Sequence, residues 1–170
     1  PQRVLHNSQV PWANSHICDP SLVKGSFTHN GQPYSYALYF TTDTGAVGGN
    51  NEIGVAFSNN GKNFTAQNNP VISPDPSGNS AFYGAGMSGV AYHPTTGKLQ
   101  HAYLDTSFNP ILRLRESADG KNFTPTPPLA TQLHAAGRLG NDGQGPDIAF
   151  NPFDAHWYAT IKNNDPNGIY

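Results

Sequence analysis

Eleven residues of this 170-residue chain are acidic, and two of them stand where a carboxylate can do more than solubilise a surface. Asp19 lies in Cys18-Asp19-Pro20-Ser21 and Asp147 in Gly145-Pro146-Asp147-Ile148, each directly before a short apolar run. An Asp in that place caps the turn leading into a strand, because its oxygens accept nearby backbone N–H groups. Two such carboxylates facing one cleft would instead be able to hold and move protons. Which role applies depends on whether Asp19 and Asp147 open equivalent pieces of one scaffold.

Other reactive residue types are sparse. Cys18 is the single cysteine, so no internal disulfide forms, and it reads as a small buried residue beside a strand. His16, two residues away, would on an extended strand only share its face, and no catalytic pair is expected. The seven His show neither His-x-His nor His-Glu-x-x-His spacing, so no zinc site is expected.

The scaffold is visible as a repeat. Ser58-Asn59-Asn60-Gly61-Lys62-Asn63-Phe64-Thr65 returns as Ser117-Ala118-Asp119-Gly120-Lys121-Asn122-Phe123-Thr124, a period of about 59 residues. Each copy follows an alternating strand and contains the Asn/Asp-Gly step of a tight turn. Phe64 and Phe123 are expected to be buried in equivalent positions beneath these hairpins. Val90 to Pro94 and Ile148 to Pro152 repeat in the same frame, each followed by an aromatic-rich strand, Leu99 to Leu104 and His156 to Ile161. The first unit reads as Pro20 to Val23, a turn at Asn30-Gly31, then Tyr34 to Phe40. Eighteen Gly, fifteen Pro and 12% charged residues leave little room for long helices.

The expected fold is therefore all-β, made of four-stranded antiparallel meanders of the kind that form propeller blades. Blade 1 spans 19–75, blade 2 spans 86–130, and blade 3 begins at 145 and runs to 170. The chain starts at Pro1 rather than Met, as a processed product or an excerpt of a larger propeller would. Remaining blades are expected from the rest of the chain or from another subunit.

Strand alternation places the long loops on one face, together with the starts of the innermost strands. Asp19 and Asp147 should converge there, with Gly89 of blade 2 at the position matching Asp147. Trp12, Phe82 and Tyr83 lead toward the same mouth, where flat rings can stack on a ligand or simply pack under a loop. His134, Asp105 and Asp165 fall on that face as ligand or cation contacts. Trp157, on a second strand, is expected in the core. Asn63 and Asn122 head Asn-Phe-Thr sequons, but polar residues are ordinary in hairpins of the opposite face.

These motifs resemble the five-bladed propeller glycosidases: glycoside hydrolase family 43, with its arabinanases and β-xylosidases, and the related β-fructosidases. The resemblance rests on the Asp19-Pro20-Ser21 step, the Ser-x-Asp/Asn-Gly-x-x-Phe-Thr hairpins and Asn69-Pro70-Val71, and runs over most of the chain. It implies that Asp19 is a general base and that Asp147 orients the proton donor and tunes its acidity. The donor itself would be a Glu of the next blade, beyond Tyr170. Glycoside cleavage needs one acid to protonate the leaving oxygen and one carboxylate to activate water or attack carbon.

The expected partner is an oligo- or polysaccharide, and the alternative is a non-catalytic sugar-binding or surface-assembly module on the same fold. A sialidase-type propeller fits less well, since its hairpin carries one more residue before the Gly. Net charge of −2 gives no footprint for nucleic acid or anionic membrane, and no apolar run approaches the ~20 residues of a membrane span. No cofactor is expected. A structural calcium is compatible with such a scaffold, but no residue pattern indicates one. Neutral polar composition points to an extracellular or periplasmic location.

Overall fold

A computed structural model describes residues 3–45, 51–75, 83–107, 111–125 and 144–162. Ten strands and one short 3-10 turn, Asn7–Gln9, account for their regular structure. The first sheet pairs β1 (Cys18–His29), β2 (Gln32–Asp43), β3 (Asn51–Ser58) and β4 (Thr65–Ala66) in sequence order. The second repeats this with β5 (Ala85–Tyr92), β6 (Leu99–Asp105), β7 (Ile111–Ser117) and β8 (Thr124–Pro125). A third begins with β9 (Gln144–Asn151) paired to β10 (His156–Lys162). Every pairing of neighbouring strands within a sheet is antiparallel, which is the meander of a propeller blade. No helix among the described residues is long and apolar enough to cross a membrane.

The hairpins form as their local chemistry dictates. Ser58 Oγ accepts the Gly61 N–H at 3.0 Å, and Asn60 Oδ1 accepts the N–H groups of Lys62 and Asn63, both at 2.9 Å. Ser117 and Asp119 do the same in blade 2. Burial alone would raise the Asp119 pKa, but these donors and the Asn122 amide hold it down at about 2. At the β1–β2 turn, Asn30 (φ 50) and Gly31 (φ 73) both adopt the left-handed conformation of a type I′ hairpin. That turn carries the pairing out to His29 and Gln32, so the first inner strand is longer than Pro20 to Val23.

Each sheet is two-faced, and its faces are buried in turn along the chain. The β2 residues Ala37 and Tyr39 join Val55 and Phe57 of β3, with Val90 and Leu99 of blade 2 packed against them. The Tyr39 hydroxyl donates to the Gly120 carbonyl at 2.8 Å, tying blade 1 to the hairpin of blade 2. The opposite face of blade 1 (Leu38, Phe40, Ala56 and Phe64) is covered by Leu5, Val10 and Trp12 of the N-terminal segment. Leu104 and Leu112 of blade 2 then meet Ile161 of blade 3.

Phe64 and Phe123 occupy matching places in their blades, but their burial differs. Phe64 is buried under the N-terminal segment, whereas Phe123 is half-buried between the blades, against Tyr39 and His101. Trp157 departs from its expected core position and is 37% exposed. Its ring packs on His93 and Phe150 of the blade 2–3 seam.

His101 takes in blade 2 the place of Leu38 in blade 1, each paired to the corresponding inner-strand residue. It is fully buried, with the Tyr39 ring 5.1 Å and the Phe123 ring 5.2 Å away. Neither ring nitrogen has a hydrogen-bond partner among the described residues. Burial, and then the nearby Arg115 charge, lower its pKa to about 3, so the folded state holds it neutral.

Two outcomes follow for stability. Phe64→Ala should cost about 3–5 kcal/mol, and Phe123→Ala less, in urea unfolding at neutral pH. An unfolded His titrates near 6.5, so protons bind the unfolded state first as pH falls below that value. Stability is thus lost from about pH 6.5 toward about 3, at ~1 kcal/mol per pH unit for the group held at about 3. His101→Leu should flatten that slope between pH 6.5 and 4, measured by urea midpoints across pH.

Candidate active site at the inner-strand ends

The innermost strands β1, β5 and β9 each break register near their start. In β1 the pairing skips between Cys18 and Ser21, in β5 between Gly86 and Gly89, and in β9 and its partner between Gln144 and Asp147. A bulge needs one residue out of the extended conformation, and each strand supplies one with positive φ: Asp19 (49°), Met87 (50°) and Gly145 (58°). Asp tolerates the left-handed region and Gly adopts it freely, but Met does so rarely.

This frame corrects one expectation. Asp19 aligns with Met87 and Gly145, whereas Asp147 aligns with Gly89 and Ser21, two residues further along. The two carboxylates do not occupy matching places, and both lie inside strands rather than before them. The misreading has a physical origin, because a bulge consumes chain without advancing the ladder.

Asp19 and Asp147 nonetheless line one open cavity of about 600 Å³, together with Leu22, Met87, Ser88 and Pro146. Blade 3 reaches it through the gap left by Gly89. A Cβ there would lie 2.5 Å from the Pro146 carbonyl oxygen and 2.6 Å from the Asp147 Cα, so any side chain would push β9 away. Ser21 ties the other inner strands, its Oγ accepting the Val90 N–H at 3.1 Å. Asp147 Oδ1 accepts the Ile148 N–H at 3.0 Å. Leu22, 55% exposed, gives the cavity an apolar flank.

Asp19 has two close neighbours. The Tyr83 hydroxyl and the Cys18 thiol each donate to its Oδ2 at 3.4 Å. Burial first, and then the Asp19 charge, push the Cys18 thiol up to about 12, so it is inert at neutral pH. The same causes raise Tyr83, which stays a protonated donor.

The remaining candidates are placed differently. Trp12 is used in packing: it stacks on Phe40 with centroids 6.3 Å apart and donates its Nε1–H to the Gln67 carbonyl at 3.2 Å. Asp105 is 3% exposed, ion-paired to Arg113 at 2.5 Å and bonded to the Ser107 backbone and hydroxyl. Neither reaches the cavity, because stacking and charge pairing turn them inward. Tyr83 stands beside Asp19 rather than in the cavity wall. Phe82, His134 and Asp165 lie outside the described residues. Met87, Leu22 and Ser88 carry no sequence signal for this site, since only the register of three strands brings them there. Among the described residues, no three His, Cys, Asp or Glu side chains are grouped to hold a metal ion.

Neither a known protein family nor a curated protein sequence matches this chain. Solved structures do match. A putative glycosidase from Bacteroides thetaiotaomicron superposes with a TM-score of 0.66 at 16% identity, over 90% of this chain and 46% of that one. A GH130 structure has a TM-score of 0.62 at 17% identity, over 90% and 48%. That family is described as mannoside phosphorylases containing glycoside hydrolases that target β-1,2 mannosidic linkages in Candida mannan. A fructofuranosidase from Schwanniomyces occidentalis, complexed with fructosylnystose, has a TM-score of 0.57 at 20% identity, over 85% and 28%. The chain spans half or less of the length of each. The fold is thus that of part of a glycoside-hydrolase-type propeller.

Gly89→Ala tests the geometry. Its Cβ meets backbone rather than a yielding side-chain tip, so the variant should lose about 1–3 kcal/mol. Structure determination should then show β9 and Asp147 displaced from β5.

Proposed function

We propose that these blades belong to a carbohydrate-active propeller that hydrolyses glycosidic bonds, with Asp19 as general base and Asp147 as the residue that orients the proton donor. The reading is carried by one observation: two carboxylates from non-adjacent inner strands line one open cavity. Asp19 would take a proton from water attacking the anomeric carbon. Asp147, a second negative charge at the cavity, would favour the protonated form of a nearby carboxylic acid and so keep the donor loaded. That donor is proposed to be a Glu from a part of the propeller beyond these blades. The substrate is an oligo- or polysaccharide, reached without cofactor chemistry.

A second reading, sugar binding without turnover, comes from the described residues taken alone, whose two Glu both lie away from the cavity. Glu52 is half-buried on β3, and Glu116 is paired with Lys98 at 2.9 Å; neither lines the cavity.

The full-length protein should release reducing sugar from at least one of a panel of arabino- and fructofuranosides, xylosides and mannosides. Asp19→Asn should lower kcat by about 10²- to 10⁴-fold with an unchanged melting temperature, because Asn tolerates the left-handed backbone at this position as Asp does. Wild-type turnover by Asp19→Asn would overturn the mechanism. Saturable oligosaccharide binding with no turnover by either protein would establish the second reading.

A further inference from the structure

We propose that Tyr83 and Thr41 form a chain of hydroxyl groups that holds the Asp19 carboxylate in its working orientation. Tyr83 is then a positioning residue rather than a stacking surface for sugar. The proposal deepens the reading of Asp19 as the base and rests on it.

The chain begins in the bulge of blade 2. The backbone N–H of Met87, the residue held at φ 50, donates to Thr41 Oγ1 at 3.1 Å. Thr41 is fully buried on β2, and its Oγ1 and the Tyr83 hydroxyl oxygen crowd one point, 2.8 and 2.6 Å from where a Gly86 Cβ would lie, with the Thr41 hydroxyl as the proposed donor to the phenol. Tyr83 in turn donates to Asp19 Oδ2. That contact, at 3.4 Å, is long for an O–H···O bond, as contacts that tighten on substrate binding often are. The thiol of Cys18 donates to the same oxygen, and among the described residues nothing donates to Oδ1. One oxygen is therefore anchored, and the other is left for a water or ligand.

The root of the phenol is fixed as firmly as its tip. The Tyr83 carbonyl accepts the Asn51 N–H at 3.0 Å. Gly84 beside it exchanges bonds with Thr106, its N–H donating to Oγ1 at 2.9 Å and its carbonyl accepting the Thr106 N–H at 2.9 Å. The ring packs with Met87 on Leu104, Leu112 and Ile161. Space for the hydroxyl pair comes from Gly86, where a Cβ would lie 2.6 Å from both the Tyr83 hydroxyl oxygen and the Thr41 Cγ2. A Phe at position 83 would satisfy all of this packing, so only the contact to Asp19 and Thr41 requires the hydroxyl.

The test uses Tyr83→Phe, Thr41→Val and Thr41→Ser in the full-length protein, with two readouts. On the best substrate, Tyr83→Phe and Thr41→Val should each lower kcat about 10-fold with KM nearly unchanged, the size expected for losing a hydrogen bond to a charged group. Thr41→Ser should recover the wild-type rate, and the double variant should be no worse than Tyr83→Phe alone. The second readout needs no turnover: crystal structures of the variants should show the Asp19 carboxylate turned away from its place beside residue 83 in Tyr83→Phe and in Thr41→Val, and unmoved in Thr41→Ser. An Asp19 carboxylate unmoved in Tyr83→Phe overturns the positioning role whatever the activity. Full turnover by Asp19→Asn overturns the catalytic reading alone, because the position of the carboxylate in the Tyr83→Phe structure stands apart from it.

Discussion

A sheet of four short strands has two faces and no interior, so a blade becomes stable only when something covers each side of it. Everything else in this chain follows from that requirement. Tyr39 and Phe57 of blade 1 find cover in Val90 and Leu99 of blade 2, and Leu104 and Leu112 of blade 2 find it in Ile161 of blade 3. Where no earlier blade is present among the described residues, the N-terminal segment does the same work. Leu5, Val10 and Trp12 lie over Leu38 and Phe40, on the face whose counterpart in blade 2 meets blade 1. Trp12 is a covering residue for that reason, and its single polar atom is satisfied by the Gln67 carbonyl.

Stacking blades by their faces forces the inner strands together, and there the available space is set by glycine. Gly89 and Gly86 differ from other glycines in what their missing Cβ would strike: the backbone of β9 in one case, and the Thr41–Tyr83 pair in the other. The bulges do the complementary work of releasing chain from the ladder, so that Asp19 and Met87 stand at the cavity and not in the pleat. Backbone strain of this kind persists only where surrounding structure over-determines it. The Met87 N–H bonded to Thr41 is one such constraint.

Polar side chains are handled in three ways. Asp105 is nearly inaccessible and fully engaged by Arg113 and Ser107, which makes it a structural ion pair at the end of β6. Asp19 is held at one oxygen by two weak donors, and Asp147 keeps its backbone bond while facing open space. Asp19 and Asp147, unlike Asp105, stand at the open cavity. His101 is a third case, a neutral ring sealed in the blade 1–2 seam without partners, where its counterpart Leu38 would serve the fold equally well.

The hairpins were legible residue by residue, because Ser58, Asn60, Ser117 and Asp119 bond backbone groups within three positions of themselves. Chemistry that short in range is written in the local sequence, and the period of the blades comes with it. The two Asp could be singled out as well, from Asp19-Pro20-Ser21 and from Pro146-Asp147 before an apolar run. Their alignment was not legible. Register depends on how many residues a bulge releases, and that is decided by the pairing of β1, β5 and β9 with strands further along the chain. Nor could sequence separate Tyr83 from Trp12 or Asp105 as neighbours of the site. Which way a ring or a carboxylate turns is chosen by what packs against it from dozens of residues away: Phe40 for Trp12, and Thr41 and Asp19 for Tyr83. Residue types and turn chemistry came from the chain itself, while the cavity came from the covering of one blade by the next.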